Sequence, residues 1–209
     1  MIPAVDLSHS IIPFDRAWLE SKLSELRHLV QSVCSGPESQ LGMDFYREHV
    51  LVVERFVHRL APLLGARLDI VLPAALLHDI SAIEDFTRVA EHHALGAELT
   101  AAILRDLGFA DDQIVAASSC VQRHVQPVPQ HEGTPEEVCL SNADALAQMA
   151  NPSYWLHYAC KVRGLEFPAG RDWYLSMVTD RWPKLHPAAS QLARPHFLRA
   201  TGACQADPS

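Results

Sequence analysis

The sequence lacks the features that mark membrane and secreted proteins. No apolar run approaches the roughly 20 residues that a membrane-spanning helix needs. The first ten residues contain no basic stretch followed by an apolar block, so we expect no secretory signal. The five cysteines are widely spaced and form no CxxC pair, a pattern typical of reduced thiols rather than of a disulfide framework. Together these absences predict a cytoplasmic protein with no membrane partner.

An excess of positive charge is also missing. The chain has 17 Lys and Arg against 25 Asp and Glu, which gives a formal net charge of −8. An acidic chain without a long basic run repels a phosphate backbone, so we expect no nucleic acid as a principal partner. A small phosphorylated substrate stays compatible with this charge, because a bound metal ion reverses the local sign.

The two-residue alternation of exposed strands is absent too, and apolar residues recur instead at the three-to-four spacing of helices. A chain of 209 residues suits one domain, and no linker divides it. We predict one all-α domain, 1–209, as a compact helical bundle. It would have a core over about 43–150, an N-terminal helix over 14–34, and C-terminal helices over 152–200 packed on that core. Within it the pattern predicts helices over 43–64, 69–79, 88–107, 111–125, 135–149 and 171–182, a polar turn over 81–85, and a loop over 163–170.

Histidine is present in excess, with 12 residues where average usage predicts roughly five. The pair His78 and Asp79 ends the segment DIVLPAALLHD, which is apolar on every side and is therefore predicted to be a helix buried on every side. A carboxylate buried there is unfavourable unless it is paired or binds a metal ion. Imidazole and carboxylate together suit Zn, Mn, Fe, Ni or Co better than Ca.

Two further residues are candidates for the same metal site. His49 lies near the start of the preceding amphipathic helix, and Asp144 lies among Ala and Leu in CLSNADALAQM. Antiparallel helices joined by a short turn bring the start of the first near the end of the second. We therefore predict a site of two imidazoles and two carboxylates from three helices, made of His49, His78, Asp79 and Asp144.

The sequence stretches around these residues resemble, in their order along the chain, the motifs of the HD superfamily of metal-dependent phosphohydrolases. The matching stretches cover about 43–150 and are EHVLVVERFVHRLA, AALLHDI, HALGAELTAAILRDLGF, ASSCVQRH and SNADALAQM. Two positions depart from the usual pattern. Ser81 stands where a Gly usually follows His-Asp-Ile, and Leu146 stands where an acidic or basic residue is usual. These departures bear on the substrate class more than on metal binding.

The resemblance implies further site residues. His93 and His124 match two histidines that bind a second ion or hold the substrate phosphate in two-metal members, and Asp79 would bridge the ions. His92 competes with His93, but the family pattern places the ligand directly before Ala94. The expected cofactor is one or two divalent transition-metal ions per chain, Mn, Fe, Ni, Co or Zn. The catalytic residues would be His78, Asp79, His93 and His124.

The function that the resemblance implies is phosphate hydrolysis. A metal-activated water would cleave an ester or anhydride of a nucleotide or another small phosphorylated metabolite. The alternatives are a di-iron HD-fold oxygenase acting on a small polar substrate and a non-catalytic binding module. A homodimer is left open. The candidate phosphate-binding cations, each with solvated surface charge as the alternative, are Arg88, Arg123, Lys161 and Arg163.

The acidic pair that follows His78 and Asp79 has two interpretations. Glu84 and Asp85 are expected to form a solvated turn, with a role in positioning water as the alternative.

Overall fold

The first helix begins at a residue that suits a helix start. The Asp15 carboxylate accepts a hydrogen bond from the Trp18 N–H at 3.0 Å, as an N-cap residue does. The computed structural model describes residues 15–205. Residues 1–14 and 206–209, which the predicted domain included, lie outside the described residues.

All regular secondary structure in residues 15–205 is helical, which confirms the predicted all-α bundle. No helix in this part of the chain is long and apolar enough to span a bilayer. A π-helical turn occupies Tyr46–Val50, and 3₁₀ turns occupy Phe86–Glu91 and Trp182–Lys184. The α-helices are α1 (Arg16–Cys34), α2 (Gly42–Phe45), α3 (Leu51–Leu64), α4 (Leu68–Leu77), α5 (Ile80–Glu84), α6 (His92–Asp106), α7 (Asp111–Arg123), α8 (Pro135–Ala150), α9 (Pro152–Lys161), α10 (Phe167–Arg181) and α11 (Pro187–Gln205).

Three predicted boundaries are wrong. The polar turn expected over 81–85 is mostly the short helix α5, and the helix expected over 88–107 starts only at His92. The Asp85 side chain, which caps the intervening 3₁₀ turn by accepting from the Thr87 N–H at 3.0 Å, separates the two segments. The loop expected over 163–170 is shorter, because α10 begins at Phe167 with a proline in its first turn.

Helices α4 and α8 form the centre of the bundle. Every residue from Ile70 to Leu77 is buried, as the uniformly apolar sequence predicts. Helix α4 packs against α1, α3, α7 and α8, and α8 packs in turn against α3, α7 and α11. Because α8 is buried from Glu136 to Met149, its polar side chains lie inside the bundle and need partners there.

The buried carboxylates at the start of α8 have those partners. Glu137 closes a capping box with Thr134 and also accepts hydrogen bonds from Ser119 at 2.5 Å and Arg123 at 2.7 Å. Glu136 accepts from the Arg67 backbone N–H at 2.9 Å. These contacts hold the start of α8 and therefore the register in which Asp144 enters the core.

The C-terminal helices also pack on α8. The Asn142 side chain accepts a hydrogen bond from the His186 N–H at 2.8 Å, and the Tyr174 hydroxyl donates to the Gln148 carbonyl at 3.1 Å. Helix α10 therefore lies beside the part of α8 that carries Asp144.

Truncating a side chain of α4 tests the central role of this helix. Leu76 is fully buried, so Leu76→Ala should lower the free energy of unfolding by about 2–5 kcal/mol through lost burial and a residual cavity. Leu63→Ala is the matched control, because Leu63 is 59% exposed and its truncation should change stability by less than about 0.5 kcal/mol. Urea unfolding followed by circular dichroism measures both; equal effects would contradict a central α4.

Candidate metal centre

The four residues predicted to share a metal site lie together in the core. His49 Nε2 is 3.0 Å from His78 Nε2, 3.3 Å from Asp79 Oδ2 and 3.3 Å from Asp144 Oδ1. His78 Nε2 is 3.1 Å from the same Oδ2 of Asp79. His49, His78 and Asp144 are buried, and Asp79 is 13% exposed.

Irregular backbone at two places brings these side chains to one point. His49 lies in the π-helical turn between α2 and α3, a feature that is common at functional sites. His78 is the C-cap of α4, and Asp79, with φ −110° and ψ 13°, is the N-cap of α5. The helix breaks between the two, so neighbouring side chains that would diverge by about 100° on a continuous helix reach the same centre.

A second group of donors meets the other oxygen of Asp79. His92 Nε2 lies 3.3 Å and His124 Nε2 lies 3.5 Å from Asp79 Oδ1. These two Nε2 atoms are 3.1 Å apart. Asp79 therefore faces two donor groups, His49 and His78 through Oδ2, and His92 and His124 through Oδ1. In each group the candidate ligand atoms lie within 4.8 Å of one another.

The structure places His92, and not the predicted His93, in the second donor group. His92, the first residue of α6, faces Asp79, whereas His93 belongs to neither donor group among the described residues. The two rings are 5.8 Å apart and inclined by 82°. Adjacent helical residues point about 100° apart, so the same turn that aims His92 at Asp79 aims His93 away.

Hydrogen bonds to the backbone set the tautomers of three histidines. A carbonyl oxygen only accepts, so Nδ1 of each ring carries the proton and, in a neutral ring, Nε2 presents a lone pair to the centre. Nδ1 of His78, His92 and His124 donates to the carbonyls of Ala75 at 2.8 Å, Val89 at 2.6 Å and Val121 at 2.6 Å.

This donor set fits divalent transition-metal ions. The Nε2 lone pairs of His92 and His124 face each other at 3.1 Å, an arrangement that needs a shared cation or proton. Nδ1–H donation to a carbonyl is also the usual support of a metal-binding histidine. His49, His78, Asp79 and Asp144 would hold one ion, and Asp79, His92 and His124 would hold a second.

The electrostatics agree with a site built for cations. Burial lowers the pKa of His78, but the adjacent Asp79 carboxylate raises that pKa by more, to about 9. Burial likewise raises the pKa of Asp79, but His78 and the other imidazoles bring it well below its usual range. A proton and a metal ion would therefore compete for Nε2 of His78, because an imidazole that binds a metal ion must be deprotonated there.

A cavity of about 190 Å³ lies beside the two donor groups. Its aromatic wall includes Phe86, Trp155, Tyr158 and Trp173. Its polar lining is formed by Asp79, His92, His124, Asp144, Gln148 and Arg181. The centre thus borders a small chamber, and part of the wall of this chamber comes from α9 and α10.

Comparison with known families agrees with this geometry. The family model described as the HD domain matches residues 46–149. The chain is a member of the HD superfamily. The matched segment begins just before His49 and ends just after Gln148, so it contains both donor groups. No curated protein and no solved structure matches the chain.

Three further residues lie at the HD centre or line its cavity without having been predicted from the sequence, namely Gln148, Trp173 and Arg181. Gln148 donates to both carboxylate oxygens of Asp144, at 3.2 and 3.1 Å, and its i,i+4 spacing from Asp144 was the available signal. Trp173 and Arg181 lie on α10, beyond the matched HD segment, and nothing in their local sequence indicates that they line the cavity.

None of the four predicted phosphate-binding cations lines the cavity. Arg88 pairs with Glu91 at 2.9 Å, Arg123 is held by Glu137, and Lys161 is exposed. The Arg163 guanidinium lies over the Trp173 ring, 4.6 Å from its centroid, so it contacts the outer side of the aromatic wall. Their placement does not support direct phosphate binding at the HD centre.

The Glu84 and Asp85 pair is exposed, as expected for a solvated turn. Both residues lie away from the cavity beside the two donor groups. Asp85 instead caps the 3₁₀ turn, so the alternative role in positioning water has no geometric support.

Substituting the adjacent histidines one at a time tests the assignment of the second donor group. His92→Ala should lower the metal content from two ions toward one ion per chain after loading with Mn²⁺ and gel filtration. The reason is that His92 supplies one of three ligands, and its loss should weaken binding at least about tenfold. His93→Ala is the control and should keep the wild-type content. Elemental analysis that shows the reverse pattern would restore His93 as the ligand.

Proposed function

We propose that this HD-domain protein is a metal-dependent phosphohydrolase that cleaves an ester or anhydride of a nucleotide or other small phosphorylated metabolite. The observation that carries the proposal is the position of Asp79 between two donor groups whose imidazole lone pairs converge on it. Such a centre suits two ions that share one carboxylate. When bound, the ions would supply Lewis-acid stabilisation of phosphoryl oxygens and an acidified water.

The residues of the chain position and support that chemistry. His49, His78, Asp79 and Asp144 would hold the first ion, and His92 and His124 would complete the second group with Asp79. Gln148 fixes the orientation of the Asp144 carboxylate by donating to both of its oxygens.

The cavity favours a small substrate. Its volume of about 190 Å³ is below that of typical drug-sized ligand pockets, so it fits a phosphoryl group with a compact organic part. Trp155, Tyr158 and Trp173 pack against one another and form an apolar wall of the cavity, beside which an organic part of the substrate would lie.

Neutralising Asp79 should abolish the activity. Asp79→Asn removes the charge that both donor groups share, so we expect phosphate release to fall by about 10²–10⁴-fold, equivalent to several kcal/mol of transition-state stabilisation. The control is Asp106→Asn, which removes a carboxylate from the exposed end of α6. The assay measures phosphate release from nucleoside monophosphates, dinucleotides, cyclic nucleotides and sugar phosphates, with Mn²⁺, Ni²⁺, Co²⁺, Mg²⁺ or Fe²⁺. Wild-type turnover by Asp79→Asn would refute the proposal.

Removing the metal should have a reversible effect on both activity and stability. Chelation followed by dialysis should abolish phosphate release and lower Tm, because an ion that binds only the folded state at 100-fold its Kd contributes about 2.7 kcal/mol. Re-addition of one of the ions should restore both properties. Unchanged activity after verified metal removal would contradict a metal-dependent mechanism, whereas oxygen-dependent turnover only with iron would favour the HD-fold oxygenase.

A further inference from the structure

Arg181, the last residue of α10, is a cation in the wall of the cavity. One terminal nitrogen donates to the Met177 carbonyl at 3.3 Å and the other donates to the Val125 carbonyl at 3.1 Å. The Nε atom is buried and has no hydrogen-bond partner within residues 15–205. A guanidinium carries five N–H donors, and these two carbonyls use two of those of Arg181.

The Arg181 charge also lacks a direct counter-ion. Other arginines of residues 15–205 form ion pairs, such as Arg27 with Glu54 and Arg123 with Glu137, but no ion pair within these residues includes Arg181. Burial lowers the pKa of Arg181, with Asp144 and Asp180 opposing that effect, and a guanidinium stays charged at neutral pH. A shielded charge without a partner is unfavourable, and an anion in the cavity would stabilise it.

Other polar atoms of the same wall lack partners. Gln148 Oε1 and Trp155 Nε1 are buried and have no hydrogen-bond partner in the described part of the chain. Both residues line the cavity together with Arg181. Three residues of the cavity wall, Arg181, Gln148 and Trp155, therefore each keep a polar atom without a hydrogen-bond partner in the described part of the chain.

The charges in the cavity favour a dianion. Asp79 and Asp144 supply two negative charges, fewer than two divalent ions carry, and Arg181 adds a further positive charge. A phosphate monoester carries close to two negative charges at neutral pH, whereas a diester carries one. The forked guanidinium also matches two phosphate oxygens at once.

We propose that Arg181 binds the non-bridging oxygens of a terminal phosphoryl group and directs the HD centre toward phosphate monoesters. This inference rests on the proposed phosphohydrolase function. It places the phosphate-binding residue outside residues 46–149, on a helix that the HD domain match does not cover.

The test compares Arg181→Met, Arg181→Lys and the control Arg171→Met in a phosphate-free buffer. Arg171 lies at the other end of α10, is 41% exposed and pairs with Asp172, so its loss leaves the cavity unchanged. Titration calorimetry measures orthophosphate binding to metal-loaded protein, elemental analysis measures the ions, and steady-state assays give kcat and KM for a monoester and a diester.

Arg181→Met should weaken orthophosphate binding about 10- to 100-fold with an unchanged metal content, because charge-assisted hydrogen bonds are lost. It should raise KM for the monoester more than it lowers kcat, and it should reduce the preference for the monoester over the diester. The orthophosphate affinity and the monoester preference of Arg181→Lys should lie between those of the wild type and those of Arg181→Met. The reason is that an ammonium group keeps the charge but lacks the forked geometry of a guanidinium. Arg171→Met should match the wild type.

Two results would overturn the inference. One is a folded Arg181→Met protein that binds orthophosphate as tightly as the wild type, which would leave Arg181 only the structural role of holding α10 to the Val125 carbonyl. If Arg181→Met does not fold, Arg181→Lys decides, and wild-type orthophosphate affinity and monoester preference in that variant would equally refute the inference.

The failures of the two proposals are distinguishable. If the wild type hydrolyses no ester but binds orthophosphate through Arg181, the anion site stands and the phosphohydrolase proposal fails. If the wild type hydrolyses monoesters and Arg181→Met does so with the same KM and preference, the phosphohydrolase proposal stands and the role of Arg181 is refuted.

Discussion

Both oxygens of the Asp79 carboxylate lie among imidazole nitrogens, with His49 and His78 on one side and His92 and His124 on the other. A carboxylate in this position would be strongly unfavourable without compensating cations or protons. The break between α4 and α5 makes this placement of the Asp79 carboxylate possible, because it lets the side chains of His78 and Asp79 reach the same centre. Other parts of the bundle bring the imidazoles of His49, His92 and His124 to this carboxylate.

The helices around Asp79 carry candidate metal ligands as well as apolar side chains. Asp144 enters from α8, whose first turn is secured by the Glu137 capping box and the Arg123 ion pair, and Gln148 orients its carboxylate. The carbonyls that accept from Nδ1 of the histidines belong to the same helical turns as the rings. Rigid backbone therefore sets both the direction and the tautomer of the His78, His92 and His124 rings, which is the preorganisation that a metal centre requires.

The donor groups and the aromatic wall of the cavity come largely from different parts of the chain. Residues 46–149, the HD domain match, contain both donor groups. Part of the cavity wall, with Trp155, Tyr158 and Trp173, comes from α9 and α10 outside that segment. The residues proposed for the chemistry thus lie in the segment that matches the HD domain, whereas most of the aromatic wall that would contact a substrate belongs to helices outside that match.

The sequence by itself determined the all-α class and the buried helix α4, and it singled out His78 and Asp79, because helical periodicity and a charged pair ending an apolar run are local signals. The prediction of His49 and Asp144 as their partners also needed the expected pairing of helices and the order of the motifs along the chain. Only the tertiary structure decided between His92 and His93, since that choice depends on where the 3₁₀ turn at Phe86–Glu91 ends and α6 begins. It also decided that Arg181 and Trp173 face the centre while Arg88 and Arg123 do not. Such assignments depend on contacts between helices distant in sequence, which no local pattern records.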